Sequence, residues 1–207
     1  MKLSDQRAAR RRLVRAARVR LLSAGYRALN LDELAAALGL SKKTLYRHFP
    51  GKDALARAAL DDFVASVRAD ADRVLADRRL GFAARLGALA AALHARLGEI
   101  APHVLGDFQR HAPALHERVF ALRRRHLPAI FGRLLAEGRR ARKVRADADP
   151  AFATQYLLHA MQGLMHPDTL AALGLTPAEA LDRALRLYFG GLLTPAGRLD
   201  YEKLPRR

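Results

Sequence analysis

A chain of 207 residues can hold one fair-sized domain, or a small reading head with a larger helical body. Its composition, 51% apolar but only 6% aromatic, favours packed helices with a Leu- and Ala-filled core, and the absence of Cys excludes disulfides and thiolate metal sites. The formal charge of +17 is uneven: residues 1–52 hold 13 Lys or Arg against 3 Asp or Glu, a footprint of polyanion binding, because cationic contacts release the counterions condensed on phosphates. Nucleic acid is the expected partner. Outside that segment the excess has a plainer reading, since Arg outnumbers Lys 31 to 6 and genome composition alone can produce such a bias. The Arg-rich start lacks the apolar run of a secretory signal, and no stretch of about eighteen apolar residues could span a membrane. A cytoplasmic protein with no membrane partner is the simplest expectation.

In chain order, Ser4 to Ala24 places Leu13, Ala17, Leu21 and Ala24 on one face, with Arg7, Arg11, Arg15 and Arg18 mostly on another, and ends at Gly25. This reads as one amphipathic basic helix. Asn30 is a good N-cap for the next, with Asp32 and Glu33 in a first turn where carboxylates favour the helix dipole. Leu34, Ala35, Leu38 and Leu45 keep helical spacing around Gly39, which lets the backbone reverse. Ser41 then caps a second short helix that opens LysLysThr, and two short helices crossing at a tight turn are a helix-turn-helix. Basic and hydroxyl groups at the start of the second helix suit phosphates and base edges in a major groove. Phe49, Pro50 and Gly51 break the pattern; Leu55, Ala59, Phe63, Val67, Ala71 and Val74 restart it, predicting a long helix from Lys52 into the mid-seventies.

Beyond Arg78 the spacing predicts helices over Gly81 to Leu97, Pro102 to His111 and Pro113 to Arg140, with Pro102 and Pro113 in first turns and Pro128 kinking or dividing the third. Asp149 and Pro150 start another helix running to about Met165. Thr176, Pro177 and Glu179 form a capping-box start for the last, which ends near Gly190 and Gly191. No strand is expected. The fold class is therefore all-α: an N-terminal three-helix helix-turn-helix domain (1–51), joined by a long helix to an all-helical C-terminal domain (52–207), about nine helices in total.

AlaGlyTyr at 24–26, LeuGlyLeuSerLysLysThrLeuTyrArgHisPhe at 38–49 and LysAspAlaLeu at 52–55 together resemble the DNA-binding domain of TetR-type transcriptional repressors. Residues 137–150 and the two helices after them are similar, more loosely, to that family's regulatory domain. The resemblance implies that Lys43, Thr44 and Tyr46 face the DNA, that His48 and Lys52 hold phosphates and that Asn30 anchors the preceding helix. The candidate DNA-binding set also takes in Lys42 and Arg47. Leu45 and Phe49, on the opposite side, are expected in the core. Arg7, Arg10, Arg11 and Arg12 can reach the DNA backbone or minor groove, or form a solvated face. The chain departs from the family pattern at AsnLeuAspGlu, where the carboxylates of Asp32 and Glu33 would repel phosphate. That helix is accordingly expected to touch the backbone only at its Asn30 end.

The two C-terminal helices carry apolar residues on more than one side, and pairing with a second chain would bury them. Phe152, Leu158, Met161, Met165, Leu181, Leu185 and Tyr188 are the candidate homodimer interface, an arrangement the family shares. A twofold dimer presents two recognition helices to a palindromic duplex. Phe63, Phe82, Leu86, Leu89, His103, Phe108, Phe120, Leu127 and Tyr156 are candidates to line a pocket for a small-molecule effector, although an apolar stripe at helical spacing is more often plain core. His94, His103, His111, His116 and His126 have no carboxylates at a recognisable metal spacing, so no metal and no cofactor are expected. GxSxG, HExxH, P-loop and Rossmann patterns are all missing, so no catalytic residue is assigned. The leading expectation is a ligand-responsive repressor. The alternative is a helical DNA-binding adaptor whose body binds a protein partner.

Overall fold

The computed structural model describes residues 3–203, and within them eleven helices form: α1 (Leu3–Ala24), α2 (Leu31–Ala37), α3 (Lys42–His48), α4 (Lys52–Ala76), α5 (Phe82–Leu97), α6 (Val104–His111), α7 (Pro113–Arg140), α8 (Pro150–Leu164), α9 (Pro167–Leu173), α10 (Pro177–Leu192) and α11 (Pro195–Glu202). Among the described residues the only β pairing is an isolated bridge between Val144 and Leu193. The all-α expectation holds. Two short helices, α9 and α11, were missing from the predicted set of about nine. Both open on Pro after a capping side chain, His166 and Thr194. Their seven and eight residues are too few to establish an apolar period. Pro102 lies in the turn before α6 rather than in its first turn. Pro128 does not divide α7. Its missing N–H deprives only the carbonyl of Arg124, and that residue is exposed, so water can serve the carbonyl instead.

The chain forms two compact units, the first made of residues up to Ser66 together with Glu99–Val119, the second of Val67–Gly98 together with the chain from Phe120 onward. In the first, Leu13, Ala17 and Leu21 of α1 are fully buried, as are Leu45, Leu55 and Phe108. Gly25, at φ +87, lets the chain leave α1 in the left-handed conformation. Asp107 reaches into that bend from α6: its carboxylate accepts hydrogen bonds from the backbone N–H groups of Tyr26 at 2.5 Å and Arg27 at 3.2 Å. A Cβ on residue 25 would lie 2.6 Å from the same oxygen, so glycine is required twice over. Arg18 adds a second clasp, donating to Asp62 at 3.3 Å and Glu99 at 2.7 Å over the face of Phe63.

In the second unit Phe82, Leu86, Leu89 and Leu93 form the buried face of α5. α10 packs against α5 and α8, with Leu181, Leu185 and Phe189 turned inward. The guanidinium of Arg85, itself buried, donates to the carbonyls of Asp77 and Leu80 after α4 and pairs with Glu137 of α7. Thr176 and Glu179 make the reciprocal capping box that the sequence calls for.

Candidate nucleic-acid interface

The recognition-helix candidate α3 is seven residues long, so its stability comes from caps and packing rather than propensity. Ser41 stands before it in extended conformation and its hydroxyl accepts from the Thr44 N–H at 3.1 Å. Leu45 and Phe49 are 1% and 3% exposed, which locks the inner face. Lys43, Tyr46 and Arg47, spaced three and four apart, are then left exposed together on the outer face.

The other candidates have local work. Lys42 Nζ lies 2.5 Å from Asp32 Oδ2, a contact that raises the lysine pKa and sets its charge against an acid of α2. Glu33 accepts from Asn30 Nδ2 at 3.0 Å, while Asn30 Oδ1 accepts from the N–H groups of Asp32 and Glu33. Asn30 is thus committed as the cap of α2, and both acids at the start of α2 are internally partnered. The Thr44 hydroxyl is 2.9 Å from that of Ser41. His48 buries its Nε2 without a hydrogen-bond partner; burial first, and then the charges of Arg47 and Arg10, lower its pKa and favour the neutral ring. Lys52 sits 4.5 Å over the ring of Tyr26 and donates to the Arg27 carbonyl at 3.1 Å. The Tyr26 hydroxyl donates to Asp53 at 2.5 Å, and burial together with that carboxylate pushes the phenol up to about 12. Lys52 therefore fastens the start of α4 to the bend after α1.

Of the N-terminal arginines, Arg10 lies 5.1 Å over the Phe49 ring and Arg12 donates to the Leu38 carbonyl at 3.0 Å, fixing α1 against α3 and the end of α2. Arg7 and Arg11 are exposed. Asp107, and its pairing with the Tyr26 segment, escaped the sequence reading: the two meet across 81 residues of chain, and no local pattern marks such a pair.

Residues 13–59 match the family model for bacterial regulatory proteins, tetR family. Over this segment the chain is similar to that family. Solved structures agree in fold. A TetR regulator from Chloroflexus aurantiacus superposes with a TM-score of 0.66 at 21% identity, over 92% of this chain and 99% of that one. The regulatory protein TetR from Rhodobacter sphaeroides gives 0.67 at 21%, over 89% and 98%. SmeT in complex with triclosan gives 0.65 at 19%, over 92% and 94%. No curated protein matches the sequence.

The predicted pocket residues fall in both compact units. Phe63, His103 and Phe108 fall in the first compact unit; Phe82, Leu86, Leu89, Phe120, Leu127 and Tyr156 fall in the second. Leu86, Leu89 and Phe108 are almost wholly buried, whereas His103 is exposed and Tyr156 is 59% exposed, pointing away from any interior. Tyr156 instead stacks on Phe152, itself 69% exposed, with ring centroids 6.5 Å apart. Among the interface candidates, Met161, Met165, Leu181 and Leu185 are already buried within the protomer, and Leu158 and Tyr188 are partly covered. Leu187 of α10, 82% exposed and absent from the predicted set, joins Phe152 and Tyr156 as uncovered apolar surface. An open crevice of 480 Å³ lies elsewhere, between α1 and α2, lined in part by Ala16, Val19, Arg20, Glu33 and Leu34. Among the described residues no cluster of His, Asp or Glu could hold a metal ion, and no helix is long and apolar enough to cross a membrane.

Proposed function

We propose that the chain is a homodimeric repressor that reads a palindromic operator through residues 1–51 and is released from it by a small apolar ligand bound in residues 52–207. The observation that carries the DNA half is the joint exposure of Lys43, Tyr46 and Arg47 on a helix whose other side is locked by Leu45 and Phe49. Lys43 and Arg47 supply charge to phosphates, and the Tyr46 ring and hydroxyl supply a flat apolar surface and a hydrogen bond to base edges or backbone. Asn30, Lys42, Thr44, His48 and Lys52 hold the geometry, and the spare donors of Lys42, Lys52 and Asn30 remain for the duplex backbone.

Phe152, Tyr156 and Leu187 support dimerisation through α8 and α10, since large apolar side chains at this exposure are unfavourable unless a partner covers them. Release requires only that the ligand bind the DNA-incompetent geometry more tightly, and by linkage DNA then weakens the ligand by the same factor. The triclosan complex of a structural relative supports a ligand-receiving body. Selection of bound duplexes from a random pool tests the reading. An enriched palindrome whose binding weakens at least about ten-fold in Tyr46→Ala is expected; unselected sequence, or unchanged affinity in that variant, would reject it.

A further inference from the structure

Genome composition spreads arginine over a surface without regard to backbone conformation, and one arginine of the second compact unit does not fit that account. α7 ends in a Schellman motif: the Arg142 N–H donates to the Arg139 carbonyl at 3.0 Å and the Lys143 N–H to the Gly138 carbonyl at 2.8 Å. The residue that closes such a motif takes the left-handed conformation and is ordinarily glycine, because a Cβ there crowds the following carbonyl. Here it is Arg142, at φ +55, the one non-glycine residue with positive φ among the described residues. The chain keeps a long cation where the backbone favours no side chain at all.

Arg142 stands at the centre of a cationic knuckle. Residues 139–145 hold five Lys or Arg and no acid. Asp200 lies 2.6 Å from Lys143 and Asp147 lies 2.5 Å from Arg145, which leaves Arg139, Arg140 and Arg142 exposed and without a carboxylate among the described residues. Their heads are splayed: Arg139 donates forward to the Ala146 carbonyl and Arg140 back to that of Ala136, each at 3.3 Å. The backbone beneath them is fixed. Val144 bridges to Leu193, the Thr194 N–H donates to the Lys143 carbonyl at 2.9 Å and the Arg145 N–H to the Leu192 carbonyl at 3.1 Å. Arg85, bonded both to Glu137 and to the carbonyls of Asp77 and Leu80, brings the turn after α4 to the same end of the unit, and with it Arg78, also exposed and without a carboxylate. The acids at this end have work of their own: Asp77 pairs with Arg79, Glu137 with Arg85, and Asp149 caps α8.

We propose that the end of α7 and the loop through Arg145 form a second nucleic-acid surface, which takes the phosphate backbone of duplex DNA without reading its sequence. Splayed guanidinium forks on a rigid loop match phosphates repeated along a strand, whereas a small anion would need the forks to converge. The exposed apolar side chains between positions 139 and 147 are only Ala141 and Ala146, so the surface lacks the large apolar groups that enter a lipid interface. No aromatic ring stands there for the stacked bases of a single strand. The left-handed backbone at Arg142 is strain retained for a third fork.

The full chain with its reading face silenced decides it. Lys43→Ala, Tyr46→Ala and Arg47→Ala together leave the buried side of α3 intact, and this variant is titrated by fluorescence anisotropy with a duplex of about 20 bp and arbitrary sequence, from about 50 mM salt upward. It is expected to retain binding that weakens as salt rises. Adding Arg139→Gln, Arg140→Gln and Arg142→Gly is expected to lower the remaining affinity about ten-fold or more and the slope of log K against log salt by about two to three. Absence of binding by the silenced variant, or binding and slope that survive the three added changes, would overturn the proposal. Comparison of the native chain with the silenced variant tests the reading face by itself, so the two assignments fail separately. An arginine-dependent preference for poly-L-glutamate, or for mixed phosphatidylcholine and phosphatidylserine vesicles, over the duplex would give the surface to an acidic protein or a membrane and overturn it as well. The protein without DNA supplies a second readout. Arg142→Gly alone is expected to raise Tm by about 2 °C, because glycine relieves the left-handed strain, while lowering the salt slope of the silenced variant by about one. A fall in Tm would mark the side chain as structural and overturn its role.

Discussion

His48 and Lys43 sit five residues apart and act by different physics. Lys43 is exposed and unlocalised, so Lys43→Ala is expected to weaken binding to specific and nonspecific duplexes alike and to lower the slope of log K against log salt by about one, read by titrations at several ionic strengths. His48 is partly covered, with its Nε2 buried and unpartnered, and its pKa is lowered chiefly by burial. In the unfolded chain a histidine titrates near ~6.5. Below that value the unfolded state takes up a proton that the folded state resists, so stability falls as the pH drops through about 6.5 and levels off only below the folded pKa. Above it this group contributes no slope. Replacing His48 with Gln is expected to flatten that part of the acid limb in thermal melts between pH 7 and 5. An unchanged limb would contradict the burial of Nε2.

Asp107 shows how a helix end can depend on an element far along the chain. Its carboxylate accepts from the N–H groups of Tyr26 and Arg27 in the bend after α1, where φ +87 at Gly25 brings the backbone against α6. Asp107→Ala would strand both donors and is expected to cost about 2 kcal/mol, roughly a 4–8 °C fall in Tm. Gly25→Ala combines left-handed strain with displacement of that carboxylate, and an equal or larger fall is expected. Both variants should also weaken DNA binding, because Tyr26 holds Lys52 and Asp53 through the same bend. Thr176→Ala, which removes the cap of α10 in the other compact unit, should cost about 1 kcal/mol and leave operator affinity intact at temperatures below its Tm.

Phe152, Tyr156 and Leu187 set the expectation for assembly. Their exposure, from 59% to 82%, is the largest uncovered apolar contribution of α8 and α10. The double variant Tyr156→Glu, Leu187→Glu is expected to shift the protein from dimer to monomer in light scattering. Operator affinity is expected to drop well beyond ten-fold, because two linked heads gain effective concentration that single heads lack. A variant that remains dimeric would place the interface elsewhere.

Helix identity and its punctuation were legible from neighbouring residues. Asn30, Ser41, Thr176 with Glu179, and Gly25 and Gly39 act through hydrogen bonds and dihedrals within four positions of themselves, so the residue order specifies them. The inward placement of Leu45 and Phe49 follows equally from helical period. Partner choice was not legible. Met161 and Phe152 share a helix and a character, yet one is 8% exposed and the other 69%, because only packing against α10 decides which apolar side is already used. Asp107 and Tyr26 meet across 81 residues, and Arg123 differs from Arg124 solely in which way α7 turns it. Local interactions choose an element; long-range packing chooses which of its faces are spent within the protomer and which remain for DNA, a ligand or a second chain.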